Sequence, residues 1–318
     1  MKTIGTIILI SILFACKPTN KLVNDNQYDG SISNQDIVEI MDTLASDYME
    51  GRAFGSPGNE KAATFIENFL LENKIKPYFN QYRDSFIVGA RNGYNIIGVI
   101  EGEDPILKQE FIILSAHYDH IGKSSNANDS VYNGANDNSS GVSAVLNIAK
   151  SLKYNKLNKR SIIIALFSGE EIGLRGSEHF ADKVADKASE LYCAVNIDMI
   201  GSVLTDKPGK VYISGFEKSN MGIVFNKYIG SDTIANIDQT LVYDVFELSD
   251  NYPLYEKLKI PAHTFCTFDF NNYKHYHRVS DEMKNVDIEN TGIIVRNIAL
   301  GFTKIAASDV KEIVLKKD

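Results

Sequence analysis

Two hydrophobic periods alternate along most of this chain. Residues 34–45 set Ile37, Ile40, Met41 and Leu44 on one face, and residues 59–73 do the same with Ala62, Phe65, Ile66, Phe69 and Leu70. Both follow the spacing of an amphipathic helix. Ser56-Pro57-Gly58-Asn59 supplies a turn and a helix start before the second. Apolar, strand-like runs follow at 94–100 and 111–116, then a helical stripe over 138–152 carrying Val142, Val145, Leu146 and Ala149. Residues 161–167 form a continuous apolar run, the pattern of a central strand covered on both faces. The pattern then predicts a helix near 173–185, a strand at 191–197, helices at 217–229, 249–258 and 287–306, and a strand at 261–266. Such alternation predicts a three-layer α/β sandwich, with helices on both faces of a mixed, mostly parallel central sheet.

The first residues follow a different layout. Lys2 precedes an apolar run from Ile4 to Phe14, interrupted by Gly5, Thr6 and Ser11. This is the layout of an export signal, and it falls short of the about 20 apolar residues that a membrane-spanning helix needs. The run ends Leu13-Phe14-Ala15-Cys16, which resembles a bacterial lipobox. That resemblance implies an exported lipoprotein, held at the membrane by a lipid on Cys16 and facing the periplasm or the cell surface. A plain secretory signal cut near Ala15, or a short uncleaved anchor, is the alternative. Residues 17–33 are polar and read as a flexible tether. A single domain is then expected over 34–310, since no break in composition marks a second.

Composition adds three constraints. The 318 residues are 44% hydrophobic and 23% charged, an ordinary balance for a chain that buries a sizeable core. The net charge of -8 gives no electrostatic footprint for nucleic acid. Cys193 and Cys266 lie in apolar, strand-like contexts, where either a disulfide or two buried thiols would be ordinary.

Chemistry concentrates at the ends of the expected strands. His117 and Asp119 follow the strand at 111–116, Glu170 and Glu171 follow 161–167, and Asp198 follows 191–197. Ligands bind outside the carboxyl ends of strands in such sheets. Asp137 lies in Gly134-Ala135-Asn136-Asp137-Asn138-Ser139-Ser140-Gly141, a polar, Gly-bounded loop leading into a helix. Taken alone it reads most simply as a helix N-cap, although a carboxylate with two free oxygens can also bridge two cations. His275 and His277 close the series, and either could bind metal. Asp119, two residues beyond His117, is suited to orient that imidazole. Adjacent carboxylates such as Glu170 and Glu171 repel at an apolar strand end unless a cation or proton intervenes.

Taken together, Ala116-His117-Tyr118-Asp119, Gly134 through Asn138, Gly169-Glu170-Glu171, Asn196-Ile197-Asp198-Met199 and Tyr276-His277 through Asp281 resemble a known pattern. It belongs to the zinc peptidases related to secreted bacterial aminopeptidases, glutamate carboxypeptidase and the transferrin receptor ectodomain, and it covers roughly residues 90–300. The resemblance implies two zinc ions per chain. His117 and Asp198 would hold one, Glu171 and His277 the other, and Asp137 would bridge them. Glu170 would be the general base and Tyr276 a donor to the oxyanion, with Asp119 and Asp281 in support. It also implies a cis peptide at Asp137-Asn138 and places Ser249-Asp250 near the site. The expected reaction is hydrolysis of a peptide bond, foremost removal of an N-terminal residue. Carboxypeptidase, dipeptidase or glutaminyl cyclase activity and a metal-free binding protein are the alternatives on the same scaffold.

Overall fold

A computed structural model describes residues 32–124, 130–237 and 243–316. The apolar run at 1–16, Cys16 and nearly all of the expected tether lie outside the described residues. The description begins at Ile32, which is buried, and Ser33, whose hydroxyl and main chain cap the first helix in a reciprocal box with Asp36.

Helices α1 (Asn34–Leu44) and α2 (Pro57–Glu72) precede strands β1 (Lys76–Pro77), β2 (Arg83–Val88), β3 (Arg91–Ile100) and β4 (Phe111–His117). Then come α3 (Gly141–Asn155), β5 (Ser161–Phe167), α4 (Arg175–Val184), β6 (Leu191–Ile197) and β7 (Val211–Ile213). The chain continues through α5 (Met221–Ile229), β8 (Ile234–Ala235), α6 (Asn251–Leu258), β9 (Ala262–Cys266) and α7 (Ile288–Ala307). The strands form one sheet in the order β1-β3-β5-β4-β6-β9-β7-β8, with β2 paired to β3. Its centre, β5-β4-β6-β9, is parallel throughout, while β3 joins β5 and β7 joins β9 antiparallel.

The central strands are buried on both faces, which explains their unbroken apolar runs. Ile112, Leu114, Ile162, Ile164 and Val195 pack with α1, α2, α3, α5 and α7. The alternate residues Ile113, Ile163, Ala165, Phe167 and Ala194 pack with α4 and α6. Cys193 and Cys266 are both buried free thiols.

From β4 the chain crosses by α3 to β5 on one side; from β5 it returns by α4, on the opposite face, to β6 on the other side. The winding therefore reverses at β4, and a crevice opens beyond its carboxyl end. His117 is the last residue of β4, paired in register with Phe167, the last of β5.

Candidate metal centre and active site

Five segments deliver side chains to this crevice. His117 ends β4, and Asp119 and His120 continue from it. Glu170 and Glu171 lie just beyond β5 and Asp198 just beyond β6, its main-chain N–H held by the Phe265 carbonyl at 3.0 Å. Asp137 sits in the turn before α3, and His277 in the loop between β9 and α7. His277 and Met199 both take left-handed backbone conformations, at φ 54° and 49°. Such conformations are uncommon for residues with side chains and concentrate at functional sites.

The turn carrying Asp137 is tied on two sides. Asp281 is fully buried; its carboxylate accepts the N–H groups of Asn136 (2.8 Å) and Asp137 (3.0 Å) and the Tyr273 hydroxyl (2.6 Å). On the other side Asn138 donates to the Ile197 carbonyl and accepts from the Met199 N–H, so it grips the loop of Asp198. The Asp137-Asn138 peptide is cis, as the motif implied.

Asp137 presents its two oxygens to two different clusters. Oδ1 lies 3.4 Å from His117 Nε2, which is itself 3.3 Å from Asp198 Oδ1. Oδ2 lies 3.2 Å from His277 Nε2, which is 3.1 Å from Glu171 Oε2. Metal bonds of about 2.0–2.1 Å in tetrahedral array leave donor atoms about 3.3 Å apart. These separations therefore fit the edges of two neighbouring metal sites, and the donor types suit zinc. His277 and Asp137 thus meet at one cluster and His117, Asp137 and Asp198 at another. Glu170 lines the same cleft as His117, Asp137, Asp198, Tyr276 and His277.

The electrostatics are those of crowded carboxylates. Burial, with the charges of Asp198, Asp250 and Glu171, holds the Glu170 carboxyl well above its ordinary range, against the pull of His117. Burial also opposes ionisation of Glu171, but hydrogen bonds from His120 and His277 outweigh it and hold that group well below the usual range. Burial disfavours charge on His277, yet its bonds to Asp137 and Glu171 raise it to about 10. Burial likewise works against charge on His117, and the charges of Glu170 and Asp198 overcome it. Both imidazoles are drawn toward the cationic form by the carboxylates that crowd them.

Some details differ from the expected roles. His117 Nδ1 contacts the main-chain carbonyl of Asp119 at 3.2 Å, and the nearer Asp119 carboxylate oxygen is 3.9 Å away. That oxygen accepts the Glu170 N–H instead, at 3.2 Å. Tyr276 stacks on His277, ring centroids 3.9 Å apart, and lines the cleft. Ser249, whose role the motif left open, donates to Asp198 Oδ2 at 3.1 Å.

Two contributors carried no sequence signal that assigned them. His120 is buried, with Nδ1 2.7 Å from Glu171 Oε1. Only its place in His117-Tyr118-Asp119-His120 hinted at it. Arg52 is also buried, and its guanidinium donates to the carbonyls of Leu44, Tyr118 (2.9 Å), Asn133 (2.6 Å) and Gly134 (3.0 Å). It thereby braces the segment after β4 and the turn before α3 together.

Comparison with known proteins places this arrangement. Residues 95–301 match the family model described as Peptidase family M28. Aminopeptidase YwaD of Bacillus subtilis is 33% identical over 144 residues, 44% of this chain and 27% of that protein. The chain spans between a quarter and a third of the length of the first curated relatives it matches. Among solved structures, the zinc aminopeptidase BSAP from Bacillus subtilis superposes with a TM-score of 0.66 at 16% identity, covering 83% of this chain and 94% of that one. A glutaminyl cyclase from Porphyromonas gingivalis superposes at 0.68 and 17%, covering 86% and 99%. At such identities the likeness is one of fold. The family match, which takes in well over half of the sequence and every segment bordering the crevice, is decisive: the chain belongs to peptidase family M28.

Proposed function

We propose that this protein is a zinc-dependent exopeptidase that removes N-terminal residues from peptides, with two zinc ions per chain. The observation that carries this reading is the division of Asp137 between two donor clusters with metal-site spacing. His117 and Asp198 would hold one ion, Glu171 and His277 the other, and Asp137 both. When bound, the pair would polarise the scissile carbonyl and acidify a water. Names among the relatives support the metal and the activity: one structural neighbour is a zinc aminopeptidase, and one sequence relative is an aminopeptidase.

The chain's own groups would do the rest. Glu170, which lines the cleft beside the ligand side chains, would take the proton of the attacking water and deliver it to the leaving amine. The Tyr276 hydroxyl would donate to the developing oxyanion. Ser249 would keep Asp198 oriented through its hydrogen bond, and Asp119 would keep Glu170 in place by accepting its N–H. The acidic cleft suits a free substrate ammonium, which favours an exopeptidase.

The test is Glu170→Gln assayed on a panel of free and N-acetylated peptides. The variant should retain its zinc and lose about 10²–10⁴-fold in kcat, and acetylation should abolish cleavage. Full activity in the variant refutes the base; equal rates on acetylated peptides refute the N-terminal preference in favour of other peptidase specificities. The glutaminyl cyclase neighbour supports a second reading on this scaffold. Release of ammonia from a peptide with N-terminal Gln, without cleavage, would establish that reading instead.

The same proposal includes residues 34–310 as the peptidase domain and Cys16 as a lipid anchor that holds it at the membrane outside the cytoplasm. The anchor reading rests on the sequence alone. Among the described residues no helix is long and apolar enough to cross a membrane.

A further inference from the structure

The residue that invites explanation is His120. Its side chain is completely buried, its Nδ1 faces the acidic cluster, and its Nε2 has no hydrogen-bond partner. Nδ1 is 2.7 Å from Glu171 Oε1 and 3.8 Å from Asp137 Oδ2. The donors assigned above to the two ions stand 3.1–3.4 Å apart. His120, Asp137 and Glu171 lie close enough to form a candidate metal group of their own, but 2.7 Å is shorter, and 3.8 Å longer, than the about 3.3 Å edge of a tetrahedral site; the 2.7 Å contact is the one that matters. It is the length of a charge-assisted hydrogen bond. Nδ1 is the ring nitrogen that meets Glu171 Oε1, and Nε2 faces no partner.

We infer that His120 is a positioning residue for the metal centre: it engages Oε1 of Glu171 and so leaves Oε2 as that residue's metal-facing oxygen. Oε2 is the atom that lies 3.1 Å from His277 Nε2. Carboxylate ligands are commonly held by an outer hydrogen bond, and loss of such partners typically costs 10–100-fold in metal affinity. Here the usual pairing is inverted, with an imidazole orienting a carboxylate. His120 is itself fixed by its main-chain N–H, which donates to the Arg52 carbonyl at 3.3 Å, and by the bridge between Ala53 and His120. Its ring stands edge-on to His277, with centroids 5.8 Å apart, so the two imidazoles flank Glu171 from different sides.

The inference rests on the two-ion reading above, and the experiment separates the two. Wild type, His120→Asn and His120→Gln are stripped of metal and titrated with zinc under chelator competition, with stoichiometry and dissociation constants read directly. An Asn amide can place an N–H close to where Nδ1 stands; a Gln amide fills similar volume but puts its N–H nearer to Nε2. Expected are two zinc ions for wild type, near-wild-type affinities for His120→Asn, and one of the two steps weakened about 10–100-fold in His120→Gln. Equal affinities in His120→Gln and wild type, or equally weakened affinities in both variants, overturn the role given to His120. Wild-type protein that takes up one zinc or none overturns the two-ion centre, and the His120 role with it. Thermal melts of the metal-free variants that match wild type exclude misfolding as the cause of any loss.

Discussion

At the scale of single residues, the site is a set of negative charges waiting for positive partners. Without metal, His277 supplies part of that charge, and its pKa is raised to about 10 by Asp137 and Glu171 against the effect of burial. An unfolded chain would return the imidazole to about 6.5. Because the folded value is the higher, the stabilisation is complete below pH about 6.5 and is lost as pH rises toward 10. Denaturant unfolding of chelated protein should therefore show stability falling across that window, with a shallower fall in His277→Ala. Identical slopes would show that the imidazolium contributes nothing. Residue types at strand ends pointed to His117, Asp119, Glu170, Glu171 and Asp198, while Asp137 and the choice of His277 over His275 were read only from the resemblance. They did not single out His120 or Arg52, whose importance comes from burial and direction rather than from type.

Elements hold these residues in place, and one irregular segment before α2 runs through consecutive left-handed conformations. Glu50, Gly51 and Arg52 are three consecutive left-handed residues, at φ 53°, 68° and 49°. A Cβ on Gly51 would sit 2.1 Å from the Gly122 carbonyl oxygen, so glycine is needed for this close approach as well as for its conformation. The segment turns Arg52 inward, where its guanidinium serves carbonyls from three separate stretches of chain. Arg52→Leu strands those carbonyls in the interior and should cost about 3–5 kcal/mol, by analogy with removal of one member of a buried charged pair. Urea unfolding of the metal-free proteins measures this, and a loss below about 1 kcal/mol would contradict the bracing role. The long elements were legible to within a few residues: β5 and β6 occupy 161–167 and 191–197 as their apolar runs predict. The short strands β1, β7 and β8 were not, since two or three residues carry no period, and β2 opens with the polar Arg83-Asp84-Ser85. Helix α3 starts at Gly141 rather than at 138, because the residues before it are spent on the turn that aims Asp137.

At the scale of the whole molecule, the reversal of winding at β4 gathers one crevice from distant parts of one sheet. Ions bound there would connect the ends of β4, β5 and β6 with the turn before α3 and the loop after β9, so their free energy would add to the stability of the sheet. Ligand linkage gives about 2.7 kcal/mol at a free concentration one hundred times the dissociation constant. Chelated protein should melt lower than the loaded form, with the midpoint rising as zinc is added back. A midpoint indifferent to zinc would count against ions in the crevice. The α/β architecture was legible in the alternation of periods, since a buried parallel strand and an amphipathic helix leave distinct patterns. The mixed character of the sheet was anticipated, but the antiparallel pairing of β3 with β5 and of β7 with β9 is set by connections that no periodicity records.

The order in which the crevice is built has a consequence for biosynthesis. Its side chains come from β4, β5 and β6 in succession, and His277 arrives only after β9. A nascent chain halted before that loop can pair most of the central sheet and still lack the last imidazole of the constellation. On the proposed reading, such a truncated product would lack a ligand of the second ion and should not cleave peptides.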